Sequence, residues 1–67
     1  MPWFRIAYEN DGTKVEKEVS RETAIKRIGR CYDHAEEMVA NTEAKATPDL
    51  DCGVRCMFAL YEFRVEP

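Results

Sequence analysis

Four residues carry most of the chemistry this sequence has to offer: Cys31, His34, Cys52 and Cys56. They form two short-spaced pairs, Cys31-x-x-His34 and Cys52-x-x-x-Cys56, which use every cysteine and the single histidine of the chain. Thiolates and an imidazole in a set of four suit a structural zinc ion. One alternative is therefore a small zinc-stabilised module. The spacing argues for something plainer. On a helix Cys31 falls on the apolar stripe and His34 beyond its edge. A loop Cys52 with a strand Cys56 is not the tight knuckle that usually grips zinc. Buried cysteine behaves as a small hydrophobe, so core cysteines, a solvated histidine and no cofactor are expected.

Catalysis has little to build on. Cys31 as nucleophile with His34 as base and Asp33 as orienter is the nearest arrangement. On one helix, however, Cys31 and His34 point about 60° apart, and nothing in the sequence suggests an oxyanion hole. Gly-rich phosphate loops and nucleophile elbows are missing. Glu36 and Glu37 are neighbours on an outer helix surface, where carboxylates are simply solvated. The chain reads as a non-enzyme with no catalytic residue.

The elements that position these residues follow from periodicity. Trp3–Glu9 predicts a strand, with Phe4, Ile6 and Tyr8 on one face and Trp3, Arg5, Ala7 and Glu9 on the other. Asp11-Gly12 marks a hairpin turn. A second strand spans Lys14–Val19, and its charged residues suit a protected edge. Ser20 is placed to cap a helix. Apolar residues at Ala24, Ile25, Ile28, Cys31, Tyr32, Ala35, Met38 and Val39 then predict one long helix to about Ala44 or Ala46. The approach to Pro48 ends it. After a loop at 47–53, a strand of about Val54 to Val65 closes the chain.

The fold class expected is α+β, in the order β-β-α-β. It is a three-stranded antiparallel sheet (order 2-1-3) with one long helix packed on one face. With 67 residues it forms one domain, 1–67. Domains of this size bury only about 60% of the surface their unfolded chain exposes. Composition is globular, at 45% hydrophobic and 34% charged.

Both faces of the closing strand are apolar: Cys56, Phe58 and Leu60 against Met57, Ala59, Tyr61, Phe63 and Val65. One helix covers one face, so the other needs a second copy, a partner or a ligand. Val54, Cys56, Phe58 and Leu60 are placed under the helix with Phe4, Ile6 and Tyr8. Trp3, Arg5, Met57, Tyr61 and Phe63 then form an open sheet face, although the opposite parity would expose Phe58 and Leu60 instead. The helix surface adds Arg27 and Arg30. Its basic first half (Arg21, Lys26, Arg27, Arg30) and acidic second half (Asp33, Glu36, Glu37, Glu43) run against the helix dipole. Two such helices laid antiparallel would match each other, as in a two-fold dimer.

Trp3, Tyr61 and Phe63 are also a platform of the kind on which nucleic-acid bases stack. Glu9, Glu16 and Glu18 share that side, and the formal net charge is −3, so nucleic acid is disfavoured as a partner. No run reaches the roughly 20 apolar residues of a membrane span, and Met1-Pro2-Trp3-Phe4-Arg5 lacks the order of a signal peptide. Three cysteines cannot all pair within one chain, and a reducing, cytoplasmic setting is the expectation.

The expected function is a non-catalytic protein-interaction module, homodimeric, acting by occlusion. Its anchors are Trp3, Arg5, Met57, Tyr61 and Phe63, with Arg27 and Arg30 on the helix. The alternative is a zinc-stabilised or nucleic-acid-binding module using the open sheet face. In format, from the Trp3–Glu9 and Lys14–Val19 hairpin through the Ser20–Ala44 helix to the closing strand, the chain resembles the small phage-encoded inhibitors, anti-CRISPR proteins among them. That resemblance implies steric blocking of a host nuclease complex through protein–protein contact.

Overall fold

A computed structural model describes residues 3–66; Met1 and Pro2 of the N-terminal run read above, and Pro67, lie outside the described residues. The chain is α+β, with strands β1 (Trp3–Tyr8) and β2 (Lys14–Val19), helices α1 (Arg21–Ile28) and α2 (Ala35–Lys45), and strands β3 (Cys52–Cys56) and β4 (Ala59–Phe63). The four strands form one antiparallel sheet in the order β2-β1-β4-β3. This corrects the three-stranded, single-helix arrangement in two places.

The β1–β2 hairpin follows from its turn chemistry. Gly12 N donates to Glu9 O at 2.9 Å and Thr13 N to Asp11 Oδ1 at 2.9 Å. Gly12 sits at φ 87°, the left-handed conformation that closes a type I turn into a hairpin.

The first correction concerns the closing strand. It is two strands, reversed at Met57-Phe58, so that Cys56 pairs with Ala59. Partners across an antiparallel pair share a face. Val54 and Cys56 therefore point to the helices as expected, and the turn sends Ala59, Tyr61 and Phe63 to that side as well. Phe58 and Leu60 are not beneath the helices. The same register reverses β1: Trp3, which pairs with Phe63, is inside, while Phe4, Ile6 and Tyr8 face away.

The second correction is the helix, which breaks at Gly29–His34. A continuous helix of 24 residues would be about 36 Å long, against roughly 20 Å for a six-residue strand. Folding back at Gly29 brings Ala35, Val39 and Thr42 over the same sheet as Ala24 and Ile28, and all five are buried. The turn is built from tight bonds, Arg30 N to Arg27 O at 3.1 Å and Cys31 N to Ile28 O at 3.0 Å. Two cross-links hold it to β3: the Cys31–Cys56 disulfide and a hydrogen bond from Tyr32 Oη to Arg55 O at 2.9 Å.

Breaking the helix also removes the conflict with the dipole. Glu22 opens α1 and Lys26 and Arg27 close it; Glu36 and Glu37 open α2 and Lys45 closes it. Apart from Arg21 at the start of α1 and Glu43 in the last turn of α2, which pair with each other, each helix now carries acids in its first turn and bases in its last, the stabilising order. The charge segregation is intramolecular design, and it no longer argues for two helices paired between copies. Ser20 caps α1 as expected, its side chain accepting from Thr23 N at 3.1 Å.

The core lies between the sheet and the two helices. Trp3, Ala24, Ile28, Ala35, Val39, Val54, Cys56, Ala59 and Tyr61 form it. Trp3 stacks obliquely on Phe63, with ring centroids 5.3 Å apart. No described helix is long and apolar enough to cross a membrane.

Candidate functional site

The expected anchors are divided by this architecture. Trp3 is 0% exposed and Tyr61 3%, and Phe63 is half-buried beside Trp3. Trp3 and Tyr61 belong to the core and Phe63 packs against it, because the β3–β4 turn puts this side of β4 beneath the helices. Arg5 lies in that same layer, towards the β2 edge. Met57 is 75% exposed at the hairpin tip. Arg27 and Arg30 are both exposed, Arg27 on α1 and Arg30 in the interhelical turn. The expected set is therefore not one surface.

The cysteines are divided too. Cys31 and Cys56 are joined, with Cα atoms 6.1 Å apart, and Cys52 is free. Half of the proposed zinc set is thereby withdrawn. His34 is exposed at the start of α2, and no three potential ligands cluster among the described residues. The donor set does not fit a zinc centre. The pairing had only a weak sequence signal, since three cysteines leave the choice of pair open.

What the sheet leaves open is its other face. Cross-strand register puts Glu16, Ile6, Leu60 and Arg55 in one row across all four strands. An acid thus stands at one end of the row, a base at the other, and two aliphatic side chains between them. The next row is Glu18, Phe4, Glu62 and Gly53. Gly53 is required there, because a Cβ would come within 2.8 Å of the Tyr61 carbonyl oxygen.

The two halves of this face differ. Over Phe4 the guanidinium of Arg64 lies 4.3 Å from the ring centroid, close enough for cation–π attraction. Arg64 also bonds Glu16 Oε1 at 2.7 Å and pairs with Glu62. These contacts, Glu16 before Glu62, hold its proton more tightly than usual. Hydrogen bonds from Arg64 and then Lys14 keep the Glu16 carboxyl below its ordinary value. That half is sealed by a charge network.

The other half is open. Ile6 is only 6% exposed, yet it is no part of the core under the helices. It forms the floor of a hollow of about 140 Å³ with Leu60, rimmed by Tyr8, Phe58, Lys14, Arg55 and Glu62. Phe58 stands 89% exposed at the rim. Beside it Met57 has φ 55°, a left-handed conformation that costs a non-glycine residue about 1–2 kcal/mol. A two-residue hairpin loop needs that positive φ at its first residue, and the turn holds both apolar side chains of the tip in solvent. The exposed member of each alternate pair was visible in the sequence, but the turn that selects it was not.

No family model, curated protein or solved structure matches this chain.

Proposed function

We propose that this protein is a non-catalytic interaction module that self-associates through its open sheet face and acts by occlusion. The observation that carries the proposal is the Glu16–Ile6–Leu60–Arg55 row. A two-fold axis parallel to the strands lays β2 of one copy over β3 of the other. The row is then matched to itself: Ile6 of each copy meets Leu60 of the other, and Arg55 of each copy faces Glu16 of the other. Self-complementarity of this kind is what an isologous interface needs. Phe58 supplies an aromatic anchor next to the apolar centre. Arg55 makes no ion pair among the described residues, so its charge is free for that contact.

On this face Glu16, Glu18 and Glu62 are matched in number by Lys14, Arg55 and Arg64, so it offers no excess of base to a phosphate backbone, which favours a protein partner over nucleic acid there. The helical side, with Arg27 and Arg30, remains outside the dimer for a target. On the resemblance in format to phage-encoded inhibitors, that target is a host protein complex.

Sedimentation equilibrium across a hundredfold range of protein concentration tests the proposal. A monomer–dimer equilibrium that Phe58→Glu shifts to monomer, with an unchanged folded spectrum, is expected. A wild-type protein that stays monomeric throughout would overturn it.

A further inference from the structure

On the opposite side of the sheet, where the helices leave the β2 edge uncovered, three cations converge from three elements. Arg5 of β1, Lys17 of β2 and Arg27 of α1 line a cleft of about 360 Å³, together with Ser20, Thr23 and Tyr61. Arg5 and Lys17 are direct cross-strand partners. Like charges placed so are destabilising.

The chain does not neutralise them. Lys14, Arg21 and Arg64 are all held by carboxylates, while Arg5, Lys17 and Arg27 form no ion pair among the described residues. Glu18 adjoins the cleft, but strand alternation sends its side chain to the other face of β2. Most telling is Arg5 Nε. It is shielded from solvent and has no hydrogen-bond partner, an arrangement that native structures avoid without a reason.

We infer that this cleft binds a phosphate group, free or as the ester of a small molecule. Two guanidinium groups and an ammonium match a dianion with several acceptor oxygens. Ser20 Oγ donates to Thr23 Oγ1 at 2.8 Å, so the Thr23 hydroxyl proton is left to donate in turn. The cleft exceeds the volume of the ion alone, leaving room for an organic substituent beside Tyr61. This site is separate from the open sheet face and stands whether or not the protein dimerises.

The test is an amide NMR titration of the whole protein with sodium phosphate, phenyl phosphate, sodium acetate and sodium chloride at matched ionic strength. Saturable shifts at residues 17–23 with both phosphates, absent with chloride, are expected. Tighter binding of phenyl phosphate assigns the ester, and equal or weaker binding assigns the free ion. Lys17→Gln and Arg27→Gln, both at exposed positions, should each weaken phosphate binding at least tenfold. Lys17→Gln should also raise the melting temperature without phosphate, by relieving repulsion, and lose the further rise that phosphate gives the wild type. Shifts that track ionic strength alone, acetate binding as tight as phosphate, or variants that bind like the wild type would each overturn the inference.

Discussion

The indole Nε1 of Trp3 donates a 2.9 Å hydrogen bond to Glu43 Oε2, across 40 residues of sequence. Arg21 Nε donates to both oxygens of the same carboxylate, at 3.1 and 2.9 Å. One acid near the end of α2 thus satisfies the only polar atom of the largest fully buried side chain and ties down the start of α1. Glu43→Ala would leave the indole N–H unpaired within the core, a loss of about 1–3 kcal/mol. Chemical denaturation of the variant checks this. Glu43→Gln, which keeps an acceptor, should cost less.

The same carboxylate gives stability a pH dependence. Burial alone would raise its pKa, but the hydrogen bonds from Arg21 and Trp3 outweigh it and hold the group below the ordinary 4.5. A depressed folded-state pKa contributes stability that is fully present above the unfolded value. It is lost as pH falls through the lower, folded value. Melting temperature should therefore be level in this respect above about pH 4.5 and decline below it. In Glu43→Gln the decline should be shallower. An identical acid limb in both proteins would exclude Glu43 as its source.

The Cys31–Cys56 bond closes a loop with a sequence separation of 25. In the chain-entropy description a loop of this size is worth roughly 3.5 kcal/mol. Reduction, or paired replacement of Cys31 and Cys56 by Ala, should lower the unfolding free energy by about that amount. Urea titrations with and without reductant measure it. Cys52→Ala should change little and should leave the reductant effect intact.

Met57 combines a left-handed backbone with an exposed side chain. Met57→Gly should relieve the strain and stabilise the fold by about 1 kcal/mol. If the hairpin tip contributes to association, the same change should weaken the dimer, so that stability and affinity move in opposite directions. A variant that gains both would separate the tip from the interface.

The proposed dimer makes a sharper demand on Glu16 and Arg55. Arg55→Glu should loosen association by setting acid against acid, and so should Glu16→Arg. The two combined should restore it, because the two-fold axis exchanges their positions. Sedimentation of the three variants decides the matter: a double variant no tighter than either single one would exclude the Arg55–Glu16 contact.

Local chemistry made a good part of this fold legible. The Asp11-Gly12 turn, the β2 strand at Lys14–Val19, the Ser20 cap and the inward direction of Val54 and Cys56 all depend on neighbours in sequence. Short-range sterics and hydrogen bonds suffice to determine them. The remainder rested on contacts between distant residues. β1 is apolar on both faces, so its alternation does not choose a side; pairing with Phe63 and Glu43 puts Trp3 inside. Met57-Phe58 lacks the Gly, Asn, Asp or Pro that usually announces a turn, yet that turn decides the parity of β4 and hence which aromatics are exposed. Likewise the apolar period of the helices runs on through Gly29–His34, because a count of residues keeps its phase while the chain changes direction. Only the limited span of the sheet and the anchors from Cys31 and Tyr32 to β3 require the break. Residue pattern alone specifies an α+β chain whose sheet has one apolar face too many. Tertiary pairing decided that this face carries Ile6, Phe58 and Leu60 rather than Trp3 and Tyr61, because the Met57-Phe58 turn sets the parity of β4 and its register with β1 puts Trp3 under the helices beside Glu43.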